Sequence, residues 1–502
     1  MKSLSSLRTA HPWLPVVAVF VLCLGLRLYR LCHKQQLHGD ELTSVCIAYQ
    51  GTGWGNRHFE YGRLYKGEEL QQHFFNDDEG GLQGLWHDLQ ALHTDNHDAS
   101  HASLYYMTLR LALCGLHEAR LADIITRGGA LGLCFFVLSF IALYLLLRQA
   151  LPRQPSLIAI VLLVALANPA AIDNTLLLRE YALAECAATA WMLWCLQFIL
   201  HPRHTARTWV MGCLTGAVLC SVGYYNILLL LLSMGVIIIV APSWQRLSRA
   251  TALALAVLAI LCLCTIGYRG YFNFLHDTRT AETGAALCGQ QLWQNLHLTV
   301  RATARIVLIQ ALPLPYTLAL VIAVVGTSYA SGRPTPARAA IWLWRTALLW
   351  CVATMYAAPW KEPRYIAPVL PLCLAAAGIV LHTLYRRYRT AALVFMALGT
   401  AYALLPLPYR TMRQAQDTWP EATGRVILVA PTTEAAHTMN LLIPHLRASQ
   451  ECVMVHHIQE LYDWQTPTAV FFGEPENMEM KQLEKRCKVQ GFTPWLNSYI
   501  PQ

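Results

Sequence analysis

Stretches of about twenty apolar residues recur along most of the chain. Each is long enough to cross the roughly 30 Å hydrocarbon core of a bilayer. They begin near Trp13, Gly128, Ser156, Tyr181, Trp209, Asn226, Thr251, Ile306, Ala340, Ile366 and Ala391, which predicts about eleven spans. The first could be misread as a signal peptide. However, Arg27, Arg30 and Lys34 follow it closely and no small-x-small cleavage site stands out, so a retained helix is expected.

Two long segments break this pattern. In residues 31–127, Leu82, Leu85, Trp86, Leu89 and Leu92 recur at helical spacing with polar residues between them, which suits an amphipathic helix at the membrane surface. The apolar run Ser103–Leu116 is short and contains Arg110; parity of the neighbouring spans makes it an interfacial or re-entrant helix, or one half of a helix pair. In residues 410–502, Arg425–Ala430, Cys452–Ile458 and Ala469–Phe472 read as strands. Glu434–Leu446 and Asn477–Val489 read as helices, so the tail is expected to form a small α/β sheet.

Composition and charge sharpen the picture. The 502 residues are 55% hydrophobic and only 13% charged, against about a quarter charged for soluble domains, and mean hydropathy is +0.37. An ordinary soluble enzyme, a disordered chain and a nucleic-acid binder are excluded. The net charge of +9 matters less than its distribution. Alternate loops carry Lys2 and Arg8, Arg148 and Arg153, Arg203 and Arg207, Arg246 and Arg249, Arg333 and Arg338, and Arg386, Arg387 and Arg389, with no acidic residue. Positive residues stay in the cytoplasm, so the N-terminus is expected inside, with the acidic loops and the tail facing outward. Most cysteines fall inside spans, where they act as small hydrophobes. Cys452 and Cys487 share the outward tail and could pair or remain free thiols.

Candidate chemistry clusters on the outward side. His38-Gly39-Asp40-Glu41 places two carboxylates just beyond the first span, suited to a general base or a metal ligand, or else to a solvated acid pair. Asp95, His97, Asp98 and His101 have a loose metal-ligand look without a regularly spaced third strong ligand, and polar pocket residues are the favoured reading. Arg179-Glu180-Tyr181 follows Asn168-Pro169 and Asp173 at the mouth of a span. Lys361-Glu362-Pro363-Arg364-Tyr365 sets two cations about a proline on the side where cations should be scarce. Fixed cations there suit a phosphate, which arginine grips bidentately, with lipid head groups as the plainer partner. Residues 268–305 add Arg269, Arg279, Arg301, Arg305 and Trp293, which suit an anionic sugar-bearing ligand or an interfacial belt.

These elements resemble a polyprenyl-phosphate-sugar-dependent glycosyltransferase of the C-type membrane fold, in the group of protein O-mannosyltransferases and the aminoarabinose transferase of lipid A. The resemblance spans roughly Trp13 to Leu381. Asp40-Glu41 matches the family's acidic pair in the first outer loop. His101-Ala102-Ser103-Leu104-Tyr105-Tyr106 matches a His-Pro-Pro-Leu-Tyr-Tyr segment, with Ala102 and Ser103 replacing two prolines. Arg179-Glu180-Tyr181-Ala182-Leu183 matches an Arg-x-Tyr-Ala-Leu segment, and Arg364-Tyr365-Ile366-x-Pro368-x-Leu370-Pro371 matches an Arg-Tyr-x-x-Pro-x-x-Pro segment.

The resemblance implies inverting transfer of one sugar from a polyprenyl-phosphate donor to a lipid, glycan or protein acceptor on the extracytoplasmic side of the cytoplasmic membrane. Asp40 would be the base and Glu41 its partner. Arg364, Lys361 and Arg179 would hold the donor phosphate, and His101, Tyr105, Glu180, Tyr181 and Tyr365 would shape the substrate pocket. No cofactor is required by this chemistry, though relatives in the wider fold that use a divalent metal leave that open. The expected architecture is a polytopic α-helical membrane protein. A multi-span domain over 1–409 includes the outward loop 31–127, and an extracytoplasmic α/β domain occupies 410–502. The alternative is a lipid-linked saccharide transporter or flippase, which would place ionisable residues near the bilayer midplane. A non-catalytic scaffold is the remaining class.

Overall fold

The computed structural model describes residues 13–34, 37–50, 60–74, 81–96, 98, 101–116, 121–152, 154–201, 204–240, 246–277, 280–284, 292–305, 336–358, 363–376, 378, 390, 394, 397, 401, 425–429, 446–455, 469–472, 492–495 and 498–501. In chain order the helices are α1 (Leu14–Cys32), α2 (Gly39–Gln50), α3 (Gly67–Phe74), α4 (Leu82–Thr94), α5 (Leu104–Ala112), α6 (Leu121–Ala150), α7 (Pro155–Leu166), α8 (Pro169–Leu176), α9 (Tyr181–Leu200), α10 (Ala206–Val222), α11 (Asn226–Val240), α12 (Arg246–Gly267), α13 (Leu292–Arg305) and α14 (Pro336–Ala357). The strands are β1 (Leu64–Lys66), β2 (Val426–Val429), β3 (Glu451–Val455), β4 (Ala469–Phe472), β5 (Phe492–Trp495) and β6 (Ser498–Pro501). The chain forms two compact units. The first holds residues 1–33, 99–105 and 129–413, and the second holds 34–98, 106–128 and 414–502.

Among the described residues, five helices are long and apolar enough to cross a membrane, or six if α7 and α8 form one bent span. Three further apolar helices, Ala206–Val222, Asn226–Val240 and Ala367–Ala376, are shorter. The runs expected from Ile306 and for most of the stretch after Ala391 lie outside the described residues. In the first unit α9 is apolar around its whole circumference and buried on nearly every face, the mark of a helix inside a bundle. It packs against α10, α11 and α14, while α1 packs against α7 and α8.

The α7–α8 break, a bend of 64°, is the best specified local feature of this unit. Proline at the first position of α8 cannot continue a helix hydrogen-bond ladder. Asn168 caps both sides of the break. Its side-chain oxygen accepts from the Ala171 amide at 3.0 Å, and its amide nitrogen donates to the carbonyls of Val164 and Ala165 at 3.1 and 2.9 Å. Arg27, which the sequence places among the cations closing the first span, lies within α1 and is fully buried. It donates to the Leu166 carbonyl at 2.8 Å, the Ala171 carbonyl at 3.1 Å and the Thr175 hydroxyl at 2.9 Å, beneath the Phe136 ring.

In the second unit one six-stranded sheet runs in the order β1-β3-β2-β4-β6-β5. The central β2 pairs in parallel with β3 and β4, placing Val426 beside both Cys452 and Ala469. These three strands lie on the three apolar runs of the tail. The helices expected over 434–446 and 477–489 fall outside the described residues, apart from Leu446. The sequence reading contained neither β5 and β6 nor β1. Strand β1 comes from the first long loop and pairs antiparallel with β3, setting Tyr65 opposite Cys452. Residues 34–98 and 106–128 of the loop fall in the same compact unit as the tail, and residues 99–105 fall in the other. Gly67 closes that junction. Its amide donates to the Gln450 carbonyl at 2.7 Å, and a Cβ there would lie 2.0 Å from the Arg447 carbonyl oxygen.

Also in this unit, Arg110 of α5 is buried, bonded to Asp88 of α4 at 2.6 Å and stacked over Tyr49. That pairing lets a short apolar helix carry an arginine. Helix α4 turns Leu85, Asp88 and Leu92 inward and leaves Leu82 and Trp86 exposed, as its amphipathic spacing requires.

Candidate active site

The acidic pair opens α2 in the second unit. The two carboxylates have different surroundings. Glu41 is fully buried, takes an ion pair from Lys34 and accepts the His38 backbone amide at 2.7 Å. This is one half of a capping box, in which the third residue of a helix reaches back to the amide before it. Asp40 remains about a third exposed, with its side chain 3.6 Å from the His38 imidazole. One carboxylate anchors the turn and the other is presented to solvent.

The remaining described site residues belong to the first unit. His101 stands beside the short segment joining α8 to α9, where Arg179 and Glu180 sit. Arg179 approaches the His101 Nε2 at 3.1 Å and the Glu180 carboxylate at 3.3 Å. Glu180 lies 3.4 Å from the same imidazole nitrogen. Arginine only donates, so any hydrogen bond between the two has His101 Nε2 as its acceptor.

This cluster borders a cavity of about 260 Å³ within the same unit. His101, Glu180, Tyr181 and Tyr365 line it, together with residues that the sequence reading did not single out: Tyr224, Asn226, Phe274, Asp277, Thr280 and Trp350. The volume sits just below the roughly 300–1,000 Å³ of typical small-ligand pockets, and an aromatic lining with a few polar groups is the usual composition. Tyr224 stacks on Phe274 at 4.1 Å, and the Trp350 indole nitrogen donates to the Tyr225 carbonyl at 2.7 Å, fixing both rings. The signal for these residues was a polar interruption, Gly223-Tyr224-Tyr225-Asn226, between two apolar runs, and the aromatic content of residues 268–305.

Tyr105, on the first turn of α5, is buried and does not line the cavity. Arg364 lies in the short 3-10 turn Pro363–Tyr365, with its guanidinium 5.8 Å from the Tyr365 ring. Lys361 and His97 fall outside the described residues. Among the described residues, no three His, Cys, Asp or Glu side chains gather as a metal centre. Cys452 is a free, buried thiol, and Cys487 lies outside the described residues.

Residues 305–419 match the Alg9-like mannosyltransferase family, and this segment contains Lys361, Arg364 and Tyr365. No curated protein matches the chain in sequence. Among solved structures, the chain is similar to ArnT from Cupriavidus metallidurans bound to undecaprenyl phosphate, at 18% identity, with 78% of this chain and 63% of that one covered and a TM-score of 0.44. It is also similar to the apo state of the same protein, at 18% identity, with 76% and 62% covered and a TM-score of 0.41. The chain thus spans less than two thirds of the length of these structures.

Proposed function

We propose that this chain is a membrane glycosyltransferase that moves one sugar from a polyprenyl-phosphate-linked donor to an acceptor hydroxyl or similar nucleophile at the extracytoplasmic face. The observation that carries the reading is the cavity lined by His101, Glu180, Tyr181 and Tyr365 beside the Arg179 guanidinium, since aromatic walls and a fixed cation suit a sugar phosphate. The match of residues 305–419 to a mannosyltransferase family supports the same class.

In this reading Asp40 removes the proton from the acceptor as its oxygen attacks the anomeric carbon from the face opposite the phosphate. The bond from that carbon to the phosphate oxygen breaks, its electron pair leaves with the polyprenyl phosphate, and the configuration inverts. Glu41, held by Lys34 and the His38 amide, positions Asp40 through the first turn of α2. Arg364, Lys361 and Arg179 stabilise the charge that accumulates on the leaving phosphate, where preorganised donors act most strongly. His101, Glu180, Tyr181 and Tyr365 shape the pocket, without the Tyr105 expected beside them. The acceptor belongs to a lipid, a glycan or a protein of the cell envelope.

Asp40→Asn and Arg364→Ala test the assignment in cells, read by mass analysis of surface glycolipids and glycoproteins. Each is expected to cut transfer by about 10²-fold or more, the usual scale for a lost general base or charge-stabilising group. Transfer at the parent rate by either variant overturns the assignment.

A further inference from the structure

One carboxylate of the first unit has no part in the chemistry described so far. Glu185 lies one turn into α9, buried within a helix that is mostly apolar. An ionisable side chain in such a helix is costly and persists where polar partners meet it. The Ser139 hydroxyl of α6 donates to its Oε1 at 2.8 Å, and the Asn174 amide nitrogen of α8 donates to its Oε2 at 3.1 Å. Both partners are themselves buried. Among the described residues the Asn174 side chain bonds to nothing else, and its oxygen has no partner. Its neighbour Thr175 accepts from Arg27 at 2.9 Å. The last turn of α8 is therefore gripped from α1 on one side and from α9 on the other.

The contact closes a short circuit of chain. Asn174 and Glu185 stand eleven residues apart, and between them run the end of α8, the joint 177–180 and the first turn of α9. The joint is tightly folded. The Leu177 amide donates to the Asp173 carbonyl at 2.9 Å, the Arg179 amide to the Leu177 carbonyl at 2.7 Å, and the Ala184 amide to the Glu180 carbonyl at 2.8 Å. Arg179 and Glu180, which meet His101 at the cavity edge, thus sit on a loop whose two ends Glu185 ties together. Functional side chains hold their geometry only as well as the elements beneath them are locked. We infer that Glu185 is a positioning residue for sugar transfer: by bonding Asn174 across the joint, it fixes the turn that delivers Arg179 to His101. The inference rests on the reading of the chain as a glycosyltransferase and adds to it a residue that does not line the cavity.

The test uses the full chain. In detergent, NMR of protein carrying isotope-labelled histidine follows the His101 imidazole nitrogens, assigned through the signal lost in His101→Gln. They report whether Arg179 still reaches Nε2. Transfer is read in cells by mass analysis of surface glycolipids and glycoproteins, normalised to the amount of folded chain. Glu185→Ala and Asn174→Ala each cut the tie, so both should shift the His101 signal and lower transfer by about tenfold. That is part of the roughly 10²-fold cost of misplacing a reacting group by about an ångström. The double variant should fall no further than either alone, because the two residues act as one unit. Glu185→Gln keeps an acceptor for Asn174 and offers an amide that the Ser139 hydroxyl can accept, so it should restore both readouts. Ser139→Ala leaves the tie in place and should lower only the unfolding midpoint. Should Glu185→Ala fail to fold, Asn174→Ala carries the same comparison. A parent-like His101 signal or parent-like transfer in the alanine variants overturns the inference. So does a Glu185→Gln as impaired as Glu185→Ala, or a Ser139→Ala that shifts the signal equally. If Asp40→Asn and Arg364→Ala still transfer sugar while transfer and the His101 signal both follow Glu185, the catalytic assignment fails and the positioning role stands. Transfer dependent on Asp40, with a His101 signal indifferent to Glu185, removes the positioning role alone.

Discussion

The guanidinium of Arg27 donates to the carbonyl oxygen of Leu166 at 2.8 Å, joining α1 to the last turn of α7, 139 residues away. A helix end leaves carbonyls without partners, and inside a bundle they must find one. Arg27 supplies it and at the same time reaches Ala171 and Thr175 in α8. Gly132 of α6 approaches the same place so closely that a Cβ would stand 2.1 Å from the Thr175 carbonyl oxygen. The bend is thus held by an arginine, an asparagine and a glycine from different parts of the chain. It sets the segment carrying Arg179 and Glu180.

Replacing Arg27 by methionine removes its donor to the Leu166 carbonyl, and an orphaned buried group costs about 1–3 kcal/mol, whereas the Ala171 carbonyl keeps the Thr175 hydroxyl. Thermal unfolding of Arg27→Met in detergent should show a clearly lower midpoint. Arg27→Lys, which keeps three donors, should fall between the variant and the parent. A midpoint for Arg27→Met equal to that of the parent would show that the clasp contributes nothing.

The unequal carboxylates of α2 should separate stability from activity. Glu41→Gln removes the counter-charge that Glu41 supplies to the nearly buried Lys34 ammonium, a change that costs up to about 3–5 kcal/mol. The double variant Lys34→Met with Glu41→Leu should regain most of that loss. Asp40→Asn, at a partly exposed position, should stay within about 0.5 kcal/mol of the parent while losing transfer. A double-mutant cycle on unfolding midpoints, run beside the transfer assay, checks all three.

At the cavity edge, one planar guanidinium serves both His101 and Glu180. Arg179→Lys keeps the charge but replaces the fork by a point, so one of the two contacts is lost. Steady-state kinetics should show kcat/KM lower by on the order of 10²-fold, the cost of misplacing a reacting group by about an ångström. A variant within twofold of the parent would remove this cluster from the mechanism.

Burial in β3 pushes the Cys452 thiol from its ordinary 9.0 up to about 12. The folded value lies above the unfolded one, so the stability linked to the neutral thiol is complete below about pH 9 and is lost as pH rises toward 12. The advantage in unfolding midpoint of the parent over Cys452→Ala should therefore shrink across that window. Iodoacetamide at pH 8 should label Cys452 only after denaturation. Prompt native labelling would contradict its enclosure.

The five long apolar helices among the described residues and the three inner strands were legible because each is written in a short stretch of sequence. An unbroken apolar run fits a buried helix or a buried parallel strand, and Val426–Val429 and Ala469–Phe472 are such runs. Strand β1 was not legible. Leu64–Lys66 is three residues long with only Tyr65 turned inward, and nothing local distinguishes it from a loop. The polar positions of the site were visible as residue types, since Arg179, Glu180 and Tyr365 stand out in an apolar chain. Asp277 and Thr280 lie in a segment already rich in polar groups.

By itself the sequence determined which segments are apolar enough to leave water, where prolines and glycines interrupt them, and which side chains carry charge. Those properties follow from each residue and its near neighbours. Tertiary structure alone decided that Arg27 closes a helix break rather than a span, that Glu41 is an anchor while Asp40 is presented to solvent, and that Tyr224, Phe274 and Asp277 share a cavity with His101. The physical reason is that periodicity tells a side chain which face to bury but not which partner it meets there. Partners such as Arg27 and Thr175, 148 residues apart, are chosen only when the helices pack.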